Sequence, residues 1–155
     1  MTVSATGKVR ALVLVWITLA TGGCGGDDDG VGPPDDTCAD MGTATYVGTE
    51  DVAVTSGACP TATDVDVTFT IVQAAGSCTF TLANSLVSGT VFSGTVSGND
   101  VSWTGSYPSA SGTVTINSVD AALSADLTAL SGSFDWTYQG NTQCTGTTTF
   151  ALTRQ

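Results

Sequence analysis

From Thr43 onward apolar and polar residues alternate one by one, and this two-residue period most limits the folds open to the chain. A strand sends successive side chains to opposite faces, so alternation marks a strand with one buried and one wet face; a helical face recurs instead every 3.6 residues or so. In Asp64–Ile71, Val65, Val67, Phe69 and Ile71 point one way and Asp64, Asp66, Thr68 and Thr70 the other. Val101, Trp103, Gly105 and Tyr107 repeat the pattern against Ser102, Thr104 and Ser106, and Leu130, Gly132, Phe134, Trp136 and Tyr138 do the same. The final run, about 143–153, places Cys144, Gly146, Thr148, Phe150 and Leu152 on one face.

Turn chemistry punctuates these runs. Ala83-Asn84-Ser85, Gly98-Asn99-Asp100 and Gln139–Thr142 read as short hairpin loops, and Pro108–Gly112 as a longer one. The expected strands are 43–50, 64–73, 78–83, 86–97 (one bent strand or two), 101–107, 112–119, 130–138 and 143–153, with 52–56 as a possible further one. Ser118–Leu130 admits a second reading, because Val119, Leu123, Leu127 and Leu130 also fall at helical spacing behind Ser118 as a potential N-cap. Its clean flanking alternation favours a strand end, a turn at Ala125-Asp126 and a new strand. Strands at this spacing joined by short loops define an all-β, up-and-down antiparallel meander of eight or nine strands. Gly89, Gly94, Gly105, Gly132 and Gly146 fall inside the expected strands, where the tight bends of a small closed barrel would give them a purpose. Closure also removes exposed edges, which sets a barrel ahead of the alternative, a β-sandwich.

Charge excludes several partners. The chain has 14 acidic residues, no His and three basic residues, of which Lys8 and Arg10 lie near the amino terminus and only Arg154 lies in the body. Nucleic acid is not an expected partner, since phosphates need a Lys/Arg patch, and neither is direct docking on an anionic membrane.

The amino terminus reads as an address. Lys8 and Arg10 precede the apolar run Ala11–Ala20, which has the layout of a secretory signal and is short for a bilayer span. It ends in Leu19-Ala20-Thr21-Gly22-Gly23-Cys24, followed by Gly25 and Gly26. Here the chain resembles bacterial lipoproteins, in which small residues precede a Cys that becomes the lipidated first residue. The resemblance covers about the first 25 residues; it implies a signal peptide at 1–23, lipid on Cys24 and attachment to the membrane through that lipid. Thr21 departs from the usual aliphatic residue three positions before the Cys, so ordinary cleavage after Ala20 stays open. The resemblance further implies an outer-membrane destination, because the first Asp is Asp27 and not the residue that follows the Cys. Residues 24–37, rich in Gly, Pro and Asp, read as a solvated tether, and the domain proper as 38–155. Asp27-Asp28-Asp29 lacks the alternating ligand spacing of calcium loops, and no metal is expected there.

Cysteine parity agrees with a lipid on Cys24. Five Cys in an exported chain leave one unpaired, and assigning Cys24 to lipid leaves Cys38, Cys59, Cys78 and Cys144 for two disulfides. Three pairings are possible. Cys78–Cys144 with Cys38–Cys59 is the preferred one, since Cys78 and Cys144 both begin strands on the apolar side; it requires the chain to fold back near Thr49-Glu50-Asp51.

The residues present disfavour catalysis. Without His, and without Lys after the signal, the usual bases for nucleophilic and Schiff-base chemistry are missing. No C-x-x-C spacing points to zinc, and no cofactor is implied. Carboxylate pairs remain, but Asp64, Asp66, Asp120, Asp126 and Asp135 fall mostly on polar faces or in turns, so no catalytic residue is assigned. The inward aromatics Trp103, Tyr107, Trp136 and Tyr138 are the candidate ligand-binding set, because each joins a flat apolar face to a hydrogen-bonding tip. The body is similar in architecture to the small meander barrels of the lipocalin and avidin type, although the lipocalin Gly-x-Trp signature is missing. Two functions follow. One is a structural or interaction module of the cell envelope with a filled core, the default where no site is recognisable; the other is a binding protein for a small apolar or glycan ligand in the barrel mouth.

Overall fold

A computed structural model of the protein describes residues 38–155 apart from Ala110. The expected signal peptide, the expected lipidation site Cys24 and the expected tether over 24–37 lie outside the described residues. Eight antiparallel strands follow one another in chain order: β1 (Thr43–Ser56), β2 (Ala62–Gln73), β3 (Thr79–Asn84), β4 (Val91–Ser97), β5 (Asp100–Ser109), β6 (Gly112–Leu123), β7 (Ala129–Gln139) and β8 (Gln143–Arg154). Each pairs with its sequence neighbours, and β8 returns to β1 over Tyr46–Ser56, so the sheet closes into a barrel with no free edge. Closure decides between barrel and sandwich.

Alternation is what positions the core. Along β4 the residues run exposed, buried, exposed from Val91 to Ser97, and in β8 Cys144, Gly146, Thr148, Phe150 and Leu152 all face inward. The outward positions are chiefly Thr, Ser and Asp, and the large apolar side chains exposed among the described residues are Val72, Leu86 and Val91. Such a surface is made for water; a lipid-facing barrel would carry a continuous apolar band.

An even number of strands puts both ends of the domain at one pole, which is sealed. The Ala39 N–H donates to the Gly98 carbonyl, and the Gln155 N–H to that of Thr45. The buried Gln73 amide ties the entering chain to the β2–β3 turn, accepting from Met41 N–H at 2.6 Å and donating to the carbonyls of Ala39 and Ser77. Met41 plugs the pole, Arg154 donates to its carbonyl at 3.0 Å, and the Tyr46 hydroxyl donates to the Leu127 carbonyl. Cys38–Cys78 staples the same pole, and Cys59–Cys144 the opposite one. Two disulfides accord with an exported protein.

The observed pairing corrects the expected Cys78–Cys144 and Cys38–Cys59. In a meander odd strands start at one pole and even strands at the other, so Cys78, entering β3, and Cys144, in β8, stand a barrel length apart. Cys38 and Cys59 are likewise separated by β1, which runs unbroken through Thr49-Glu50-Asp51 without folding back. The same continuity merges the expected 43–50 and 52–56 into one strand. Ser118–Leu130 is strand, turn and strand: β6 and β7 pair from Thr113↔Gln139 to Leu123↔Leu130, and Leu127 takes φ 59° in the turn. Residues 86–90 are a turn rather than strand, and Gly89 lies there with φ +78°.

The inward glycines make room for rings. A Cβ at Gly94 would stand 2.2 Å from Phe80 Cζ, and one at Gly146 would stand 2.3 Å from both Trp136 Cζ2 and the Ala53 carbonyl oxygen. Because a backbone atom cannot turn aside as a flexible side chain can, Gly146→Ala is expected to destabilise the barrel by roughly 1–3 kcal/mol, the usual range for overpacking. Urea unfolding measures it, and an unchanged midpoint would contradict this account of the glycine.

Candidate functional site

Halfway along the axis the interior changes character. Phe69, Trp103, Phe134 and Phe150 form a layer of tilted and edge-on rings, with centroids 5.4 Å apart for Phe69–Phe150 and 6.1 Å for Trp103–Phe134. On the sealed side of this layer the barrel is filled by Tyr46, Ile71, Val101 and Leu130, each at most 1% exposed. On the other side it is hollow. A cavity of about 480 Å³ opens to the pole opposite the chain ends, with Phe69, Trp103 and Phe134 in its floor.

The walls follow from strand phase and strand length. Phe92, Tyr107, Val114, Ile116, Trp136 and Tyr138 are inward residues of β4 to β7 that reach above the ring layer. Phe92 and Tyr107 meet edge to face with centroids 6.2 Å apart. β3 and β4 have only six and seven residues against ten to fourteen for the other strands, so the wall is low there. The β3–β4 turn partly covers the gap: Asn84 caps it through Leu86 N–H at 2.7 Å, and Val87 turns inward at 9% exposure. Cys59, held by its disulfide to Cys144, forms part of the rim with Pro60 and Thr142.

All four residues expected from sequence to contact a ligand, Trp103, Tyr107, Trp136 and Tyr138, line this one cavity. They differ in depth. Trp103 is buried in the floor, whereas Tyr138 is near the rim, where its hydroxyl shares a 3.2 Å hydrogen bond with Ser111. Asp64, Asp66, Asp120, Asp126 and Asp135 are all exposed and do not converge on the cavity. Asp126 caps the β6–β7 turn, and hydrogen bonds from Ser124 and Thr128 hold its carboxyl down to about 2.

Two buried polar residues of the lining were not among the expected ligand contacts, although Thr148 falls on the inward face read for the last strand. Thr148 is buried in β8, and Glu50, the only glutamate in the chain, stands in β1 opposite Val65 and Phe150. Glu50 is 8% exposed, its Oε2 has no hydrogen-bond partner, and desolvation raises its carboxyl to about 7. Its charge in turn raises the Tyr107 phenol, already lifted by burial. A bulge lies beside it, where the pairing steps from Glu50↔Val65 to Val52↔Ala62 and Asp64 adopts φ 53° with its N–H on Asp51 Oδ1. The signal for Glu50 was its phase: it falls in step with Ala44, Tyr46, Val52 and Val54, the inward series of β1.

Fold and cavity together define a class of protein, a small closed meander barrel with a water-facing exterior and an aromatic cup open at one end. No protein-family model matches the chain, and no curated protein matches it.

Proposed function

We propose that the protein is an exported envelope lipoprotein, anchored through Cys24 in the outer membrane, whose barrel receives a small and largely apolar ligand. One observation carries the binding half of this reading: the upper barrel is an open cavity lined by aromatic and aliphatic side chains, where a purely structural barrel would gain by filling it. Its volume lies within the range of about 300–1,000 Å³ usual for small-molecule sites. An interaction module remains the second reading; it draws on the sealed lower half and leaves the cup without a role. No catalytic role is assigned.

The neutral dye N-phenyl-1-naphthylamine is expected to bind saturably with one molecule per barrel, and Ile116→Trp, which fills the cup, is expected to abolish binding in a barrel that still folds. Failure of the dye and of a panel of lipids and sugars to shift the fluorescence of Trp103 and Trp136 would overturn the binding reading. For the anchor, mass spectrometry of the membrane fraction is expected to show a lipid-modified terminus at Cys24. A mature terminus at Thr21 with unmodified Cys24 would overturn it, and recovery in the inner membrane of the native host would overturn the outer-membrane destination.

A further inference from the structure

We infer that Glu50 makes the cup selective for a protonated amine carried on a flat apolar body, with the ammonium on the Glu50 carboxylate and the body among Trp103, Tyr107 and Trp136. This rests on the binding reading above and narrows it to one chemical class.

The chemistry of the lining leads there. Glu50 is the one carboxylate in the cavity, and the domain's other acidic residues stand outside it. A buried carboxylate is ordinarily matched by a cation or by several donors. Glu50 has neither: Oε2 is without a partner, and Arg154, the only basic side chain among the described residues, is engaged at the sealed pole on the Met41 carbonyl. Tyr107 is near enough to feel the charge, yet its hydroxyl does not donate to it. An ammonium reaching the Glu50 side chain from the cavity would supply the opposite charge that this carboxylate lacks. The ring faces beside it also favour a cation, by attraction to the negative π surface. An anionic ligand would meet Glu50 with no basic group in the cavity to offset it. The rest of the lining is chiefly aromatic and aliphatic; its other polar side chains are Asn84, Ser109, Thr142, Thr148 and two phenols, and Glu50 alone is charged.

Fourteen acidic residues less the five Asp of the tether leave nine on the barrel against Arg154 alone. A field of that sign draws cations toward the mouth, more strongly at low salt.

The proton balance gives a distinguishing signature. Around Glu50, β2 presents Val65, β8 presents Thr148 and Phe150, and the titratable groups facing the cavity are the phenols of Tyr107 and Tyr138; Asp51 and Asp66 on β1 and β2 face outward. Burial and the Glu50 charge raise the Tyr107 phenol, away from the window between pH 5 and 8. Ammonium binding therefore releases one proton from Glu50 wherever the empty cup holds it, and affinity falls by roughly tenfold for each pH unit below about 7.

Calorimetric titration of the folded domain with 2-(2-naphthyl)ethylamine, the matching alcohol 2-(2-naphthyl)ethanol and the matching acid 3-(2-naphthyl)propanoate tests the inference. At pH 8 the amine is expected to bind at least tenfold more tightly than the alcohol, and the acid more weakly than either. Glu50→Gln is expected to bring the amine down to near the alcohol's affinity, and an unchanged near-ultraviolet circular dichroism spectrum together with retained binding of the neutral dye shows that the variant's cup is intact. Between pH 8 and pH 5 the amine should weaken by one to two orders of magnitude and the alcohol should not. Equal affinity of amine and alcohol, or an amine insensitive to Glu50→Gln, would overturn the amine selectivity and leave the apolar cup standing. Failure of all three, together with the neutral dye, would overturn the binding reading itself.

Discussion

Replacing Cys59 and Cys144 by Ser is expected to lower the unfolding free energy of the barrel by about 4.5 kcal/mol, and replacing Cys38 and Cys78 by about 4 kcal/mol. The values follow from the 85- and 40-residue separations in the chain-entropy account, where a longer closed loop restricts the unfolded chain more. The two loops interlock, since 59 lies between 38 and 78, so the losses will not add in full. Against the total of about 5–15 kcal/mol usual for a domain, either loss is large. The two also differ in kind. Cys38–Cys78 holds the entering chain over the sealed pole, whereas Cys59–Cys144 braces the β1–β2 loop against β8 at the rim, so its removal should also weaken binding of the neutral dye. Urea unfolding of the two double variants gives the numbers. A loss below about 1 kcal/mol in both would show that the barrel closes without its staples.

The second large effect concerns pH. In the folded barrel Glu50 keeps its proton up to about pH 7, whereas the unfolded chain releases it near 4.5. The native state therefore binds the extra proton between those values, and stability falls as pH rises through that window. The contribution of Glu50 is fully present below about 4.5 and fully lost above about 7. Because water at the open mouth screens part of the charge, the loss is of order 2 kcal/mol rather than the larger figure a dry site would produce. Glu50→Gln should remove this slope: the variant should match the parent near pH 4.5 and exceed its stability at pH 8 by a similar amount. Asp126 acts in a separate window. Its lowered carboxyl contributes stability that is lost only as pH falls toward about 2. Urea midpoints of parent and variant from pH 4.5 to 8 test this, and parallel curves would show that Glu50 is solvated and ordinary.

Much of the architecture was legible because alternation encodes a face directly. Val67, Phe69 and Ile71 are inward for the same reason that Thr68 and Thr70 are not, and no tertiary knowledge is needed to see it. Short turns such as Gly98-Asn99 add the meander order. Depth along the barrel axis is what alternation does not carry. Phe150 and Tyr138 share inward phase, yet one packs in the ring layer and the other reaches the rim, and only the closed register separates them. Disulfide pairing failed for a related reason. Cys78 and Cys144 look equivalent as inward residues at strand starts, and the missing variable was strand parity, which places them at opposite poles. Glu50 was overlooked because Thr49-Glu50-Asp51 was read as a fold-back at a strand end, whereas β1 runs on through it and the phase counted from Tyr46 turns Glu50 inward.

The poles also differ in what they tolerate. Both ends of the domain leave from the sealed pole, so the opening is bordered by hairpin connections alone, among them the stretches 57–61, 85–90 and 140–142. Loop insertions are inexpensive in chain entropy, and each strand that these stretches join is also paired along its other edge in the closed sheet; in 57–61 only Cys59 must stay, for its disulfide to Cys144. The receptacle can thus be re-specified by exchanging its rim while the ring layer and the Met41 plug stay as they are. Immobilising the domain through either end leaves the opening unobstructed, which makes the barrel a ready frame for grafting new mouths.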